Sequence, residues 1–157
     1  GEPHRLENFL TKGNINYIDD SKATNIAATI SAIKSLKEPL ILILGGLSKG
    51  QNFNLLTETL HMRSINLIVF GLEVSAICES FKNSSLLFAQ AKDLKEAVLL
   101  ANKIAKEKVA LSKKKSTQIN ILLSPACSSL DTYENYKQRG RDFKKLVTTD
   151  LHGEANC

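Results

Sequence analysis

The segment Tyr17–Asn25, YIDDSKATN, sets two carboxylates, an ammonium and two hydroxyls where a short apolar run gives way to a helical pattern. Two more polar clusters also follow apolar runs: GGLSKGQNF, Gly45–Phe53, after LILIL, and SPACSSLD, Ser124–Asp131, after INILL. Ligands of open α/β sheets bind outside the carboxyl ends of the strands. Lys22, Thr24, Lys49 and Ser129 are therefore expected to meet in one crevice. Lysines, hydroxyls and helix N-termini together suit a small dianion, carboxylate or phosphate. Each cluster also has a plainer reading. Asp20, Ser21 and Thr24 could cap the helix that starts near Asn25, Gly45 and Gly46 could serve only a tight turn, and Lys49 could be solvated.

Several chemistries are disfavoured by spacing. A Walker phosphate loop needs GxxxxGK[ST], whereas here Lys49 precedes Gly50 and no Ser or Thr follows; a GxGxxG fingerprint is missing too. Cys127 has no histidine or acid placed to activate it, so a small buried thiol is expected rather than a nucleophile. Cys78, Cys127 and Cys157 form no CxxC, and His4, His61 and His152 add no zinc-like spacing, so no metal site is expected.

Composition points the same way. The 157 residues are 43% hydrophobic and 24% charged, ordinary for one globular domain. No apolar run reaches the ~18 residues of a membrane helix, and GEPHRLENF lacks the features of a signal peptide. The chain does not begin with Met, which suggests a piece excised from a longer protein. Net charge is +5. Six of the 21 basic residues lie in Lys103–Gln118, a run that reads as a solvated helix end and loop. It lacks the arginine–aromatic interleaving of nucleic-acid surfaces, so neither nucleic acid nor membrane is an expected partner.

The elements that must position these clusters follow from periodicity. RLENFL and INYID around TKGN read as a hairpin. TNIAATISAIKSL is an amphipathic helix, and PLILILGG has the continuous apolar character of a strand covered on both faces. Helices NLLTETLHM, EVSAICESF and DLKEAVLLANKIAKEKVA then alternate with strands INLIVFG, SLLFAQ and INILLSP. Asp93 and Glu96 form a capping box for the third of these helices. A last helix, SSLDTYENYKQRGRDFKKLV, is expected to start at caps Ser128 and Asp131, with Gly140 costing roughly 1 kcal/mol of helix preference and allowing a kink. TTDLHGEANC, without periodicity, reads as a frayed tail. This alternation predicts an α/β fold: about six mostly parallel strands with helices on both faces.

PHRLE, DDSKATN, GGLSKGQNF and LLSPACSSLDTYENYKQRGRDF, in that order, resemble the C-terminal domain of the D-glutamate-adding branch of the Mur ligase family, from about Pro3 to Phe143. The resemblance implies a Rossmann-like domain over residues 1–150 with a tail at 151–157, and N-terminal UDP-binding and central ATPase domains outside this sequence. It implies a cytoplasmic, monomeric ligase of peptidoglycan synthesis, with ATP and Mg2+ held mostly by the central domain. D-glutamate would be joined to UDP-N-acetylmuramoyl-L-alanine through an acyl phosphate, and the isolated domain would be inactive. By motif position, Thr24, Lys49, Ser129, Leu130 and Tyr136 would contact D-glutamate. Lys22 would act catalytically between amino acid and phosphate, and Arg5 and Asp20 would reach toward ATP. His4 belongs to the linker motif, whose residues Glu2–Arg5 are expected to be mobile. Another Mur or folylpolyglutamate synthase-like ligase, or a non-catalytic module using the basic loop, stands as the alternative.

Overall fold

The computed structural model describes residues 1–151. His152 and Cys157, with the rest of residues 152–157 of the expected tail, lie outside the described residues. Six strands form one sheet in the order β1-β2-β6-β3-β4-β5. β1 (Glu7–Lys12) and β2 (Ile15–Asp19) form an antiparallel hairpin turning at Gly13 and Asn14. β2, β6 (Ile119–Leu123), β3 (Leu40–Gly45), β4 (Ile65–Phe70) and β5 (Phe88–Ala91) run parallel. The sheet and its helices bear out the α/β expectation.

Strand periodicity divides the core in two. In β3, Leu40, Leu42 and Leu44 pack on one face with α1 (Ile26–Lys34), α2 (Asn54–His61) and α3 (Val74–Glu79). Ile41 and Ile43 face the other side, against α4 (Leu94–Leu111) and α5 (Tyr136–Lys145). All six residues of β3 are buried, which is why the sequence shows an apolar run there and no alternation.

This distribution positions the site. The chain leaves β2 and β3 for helices on one face but leaves β6, which lies between them, for α5 on the opposite face. The connections diverge on both sides of β6, opening a crevice at the carboxyl ends of β2, β6 and β3. Those are the ends that carry the three polar clusters.

Two expectations need correction at the end of the chain. The last helix starts at Tyr136, not near Ser128, and its N-cap is Asn135, whose side chain accepts the Gln138 N–H at 2.9 Å. Residues 128–135 are instead turns, with the Ser129 carbonyl accepting from Thr132 and Tyr133 N–H. These turns carry the chain away from β6 before the helix can start. Beyond α5 the chain continues as a π-helical turn, Leu146–Leu151, with Val147 buried against the α4 face. Burial of Leu146 and Val147 extends the helical path into the region expected to fray.

Candidate functional site

Loop positions begin with buried polar bonds. Asp20 follows β2; its Oδ2 accepts from the Ser124 hydroxyl at 2.7 Å and its Oδ1 from the Leu6 N–H at 3.0 Å. Burial pushes this carboxyl above the usual range, and the two hydrogen bonds oppose that shift only in part. Ser21 donates to the Tyr136 carbonyl at 2.7 Å. The helix α1 is capped by Asn25, which accepts the Ala28 N–H at 2.9 Å. Asp20 and Ser21 are thus committed to tertiary contacts, and the capping role suggested for them falls to their neighbour.

Arg139, on α5, is 1% exposed and ties the loops together. Its Nε donates to the Ser21 hydroxyl at 2.9 Å, Nη2 to the Ser21 carbonyl at 2.7 Å and Nη1 to the Cys127 carbonyl at 3.0 Å. Burial pulls its pKa down to about 10, so it remains a cation at neutral pH. Across the crevice, Leu47 and Ser128 exchange backbone hydrogen bonds at 2.9 and 3.0 Å. Gly46 permits this approach: a Cβ there would lie 2.3 Å from the Ser128 carbonyl oxygen, and its φ is +127°. Cys127 is fully buried and its thiol is pushed up to about 12, which agrees with a packing role.

The N-terminal segment is fastened to the same end. His4 is buried, with Nδ1 2.6 Å from Asp19 Oδ2, and its carbonyl accepts the Lys22 N–H at 3.0 Å. Gly140 leaves room for it, since a Cβ there would fall 2.2 Å from His4 Nδ1. The stretch Glu2–Arg5 thus makes hydrogen bonds and ion pairs to the end of β2 and the loop after it. Glu2 in turn pairs with both Lys22 and, at 3.2 Å, Arg5.

The expected residues fall into two groups. Arg5, Asp20 and Lys22 line one cleft of about 350 Å³, floored by Ala28, Ser31 and Ala32 of α1. Thr24 and Lys49 are exposed on adjoining loops, while Ser129 is 3% exposed and Leu130 59%. The Leu130 N–H donates to the Ser128 hydroxyl at 3.3 Å. Tyr136 stands edge-on to the His4 ring at 6.2 Å, at the seam between the N-terminal segment and α5. The Leu47–Ser128 pair brings the Lys49 and Ser129 loops together, and Gln51 links both to the start of α1 near Thr24.

Backbone strain converges on the same place. Among the described residues, the non-glycine positions with positive φ are His4 (64°), Leu6 (44°), Lys49 (51°) and Ala126 (59°). All four lie in the motif loops, and such strain gathers where a site requires it.

Reasoning from sequence missed Arg139, Gln51, Ser124 and Glu73, which accepts from the Ser48 hydroxyl at 2.8 Å. Three of them sit inside the quoted motifs, but nothing local separates the buried Arg139 from exposed Arg141 two residues on. For metal, His4, Glu7 and Asp19 are the described residues close enough to share an ion. Lys144 already supplies their positive charge, 2.7 Å from Glu7 and 4.0 Å from Asp19. These residues do not fit a resident Mg2+.

No family model matches the chain. It is 37% identical over 147 residues to a UDP-N-acetylmuramoylalanine–D-glutamate ligase from Bordetella avium, covering 94% of this chain and 27% of that protein. Enzymes of the same name from Christiangramia forsetii (38% identical, 94% of this chain, 31% of the relative) and Prochlorococcus marinus (37%, 92%, 30%) match comparably. The chain thus spans about three tenths of the length of these curated relatives. A folylpolyglutamate synthase from Mycobacterium tuberculosis, solved with ADP, superposes with a TM-score of 0.67 over 93% of this chain and 32% of its own, at 13% identity. That likeness concerns fold alone. The similarities bear out the resemblance carried by the four motifs.

Proposed function

We infer that this chain belongs to the Mur ligase family and is the C-terminal domain with which a D-glutamate-adding ligase presents its incoming amino acid. What supports the reading is the meeting of three motif loops at the carboxyl ends of β2, β6 and β3, in a chain similar over more than nine-tenths of its length to enzymes that bear that name.

Each residue then has a physical task. The Lys49 ammonium pairs with one carboxylate of D-glutamate, and the Thr24 and Ser129 hydroxyls with the Leu130 N–H hydrogen-bond the carboxylates. Tyr136 closes one side. Lys22 lies between amino acid and phosphate, where an ammonium stabilises charge that develops as the amine attacks the acyl group of UDP-N-acetylmuramoyl-L-alanine. Holding the amine in place makes that encounter effectively intramolecular.

The Arg5–Asp20–Lys22 cleft suits part of a nucleotide: two cations for phosphate and a carboxylate to accept from ribose hydroxyls, beside a small apolar floor. ATP supplies the phosphoryl group that activates the carboxylate. Arg5 and Lys22 would exchange Glu2 for it on binding. The remaining length of such a ligase would provide the sugar-nucleotide and Mg2+ sites, so this chain alone would bind D-glutamate without turning it over.

The test is an NMR titration of the labelled chain with D-glutamate and, separately, L-glutamate. Shifts at Thr24, Lys49 and Ser129, larger for the D isomer, are expected. Lys49→Ala should weaken binding about tenfold or more, since a charge-assisted hydrogen bond contributes roughly 1.5–3 kcal/mol. Shifts confined to Lys113–Lys115 would defeat the assignment.

A further inference from the structure

Gln51 makes three side-chain hydrogen bonds to three different segments. Its Nε2 donates to the Ser48 carbonyl at 3.0 Å and to the Ala126 carbonyl at 2.7 Å. Its Oε1 accepts the Ile26 N–H, in the first turn of α1, at 2.8 Å. Two carbonyls on one side and one N–H on the other leave a single sensible orientation for the amide. No other residue type of this length supplies two donors and an acceptor in one plane.

The bonded segments are the ones that carry Thr24, Lys49 and Ser129. Ile26 lies two residues after Thr24, Ser48 immediately before Lys49, and Ala126 three residues before Ser129. Two of the segments are also strained: Lys49 and Ala126 have φ of 51° and 59°, and Gly50, beside Gln51, has φ of 72°. A left-handed lysine persists only where its surroundings over-determine it. The Gln51 backbone N–H adds to this by donating to the Ser48 carbonyl at 3.2 Å.

We propose that Gln51 is a positioning residue for the amino-acid site: its amide locks the Lys49 loop, the Ser129 loop and the start of α1 into one geometry, and so sets affinity for the diacid without touching it. The inference rests on the D-glutamate reading for its ligand, but the clamp itself is measurable without ligand.

The experiment compares the unaltered chain with Gln51→Met, which keeps the side-chain length and removes all three bonds. Without ligand, the Ile26 amide should exchange about tenfold faster in the variant, and the Lys49 and Gly50 amides should shift and broaden, while β3 and β6 signals stay in place. With D-glutamate, affinity should fall about tenfold. A merely structural role would lower the thermal midpoint and leave the dissociation constant unchanged. Unchanged Lys49 and Gly50 signals in Gln51→Met, or D-glutamate affinity equal to that of the unaltered chain, would overturn the proposal. If neither protein binds D-glutamate, the functional reading fails and the ligand-free comparison still decides the clamp. Should the variant not fold, the Gln51 side-chain amide protons of the unaltered chain decide it: slow exchange supports the clamp, and free, rapidly exchanging protons refute it.

Discussion

Asp20 and Arg139 show how single buried groups hold this site at some cost to stability. Desolvation raises the Asp20 carboxyl pKa, so the folded chain binds its proton more readily than the unfolded chain does. Its stability contribution therefore improves as pH falls through the raised pKa, and at neutral pH the buried charge is a cost. Asp20→Asn keeps an acceptor for the Leu6 N–H and can donate to Ser124. Denaturation at neutral pH should find it as stable as the unaltered chain, or up to about 1 kcal/mol more stable, and the acid-side gain should vanish from the variant and so stand out as the pH-dependent difference between the two. Glu7, held below its ordinary value by Lys144, contributes the opposite slope in both proteins and cancels. Arg139→Met, by contrast, strands the Ser21 and Cys127 carbonyls and should cost about 3 kcal/mol or more in urea unfolding.

Elements here are placed by caps and close approaches more than by propensity. Asp93 caps α4 through the Glu96 N–H at 2.9 Å, as its spacing from Glu96 predicts. Arg63 closes the other end of α1 by donating to the Ile33 and Leu36 carbonyls, an arrangement no local pattern announces. The cap of α5 tests the corrected boundary. Asn135→Ala should lower stability by about 1 kcal/mol, whereas Asp131→Ala, outside the helix, should change it by less than half as much. Equal losses by calorimetry would restore the longer helix read from periodicity. Gly140 lets α5 press against His4 and Asp19.

For the whole molecule, the sheet separates two charged regions. The lysine run lies before β6, and its loop is fastened to the hairpin turn by Asn14, which donates to the Lys115 and Thr117 carbonyls at 2.7 and 3.0 Å. The motif loops lie at the opposite end of β6, five residues or roughly 16 Å of strand away. At physiological ionic strength that exceeds the screening length of about 8 Å. Replacing Lys113, Lys114 and Lys115 with alanine should leave the D-glutamate titration unchanged. A large loss, or strong salt-dependent binding of nucleic acid that the triple variant abolishes, would revive the reading in which the basic loop is the functional surface. Among the described residues no helix is long and apolar enough to cross a membrane.

Sequence alone determined the alternation of strands and helices, the two-sided burial of the central strands and the positions of three polar loops, because these depend on local periodicity and turn chemistry. It also identified the loops that carry Lys22, Thr24, Lys49 and Ser129, since residue types and their order suffice for that. Tertiary structure decided that β6 inserts between β2 and β3, where α5 begins, and that Arg139 and Gln51 join the loops. Those outcomes depend on which strand edges pair and on hydrogen bonds between residues as many as 118 positions apart. Local patterns carry no information about such partners, because a buried guanidinium and a solvated one are spelled by the same letter.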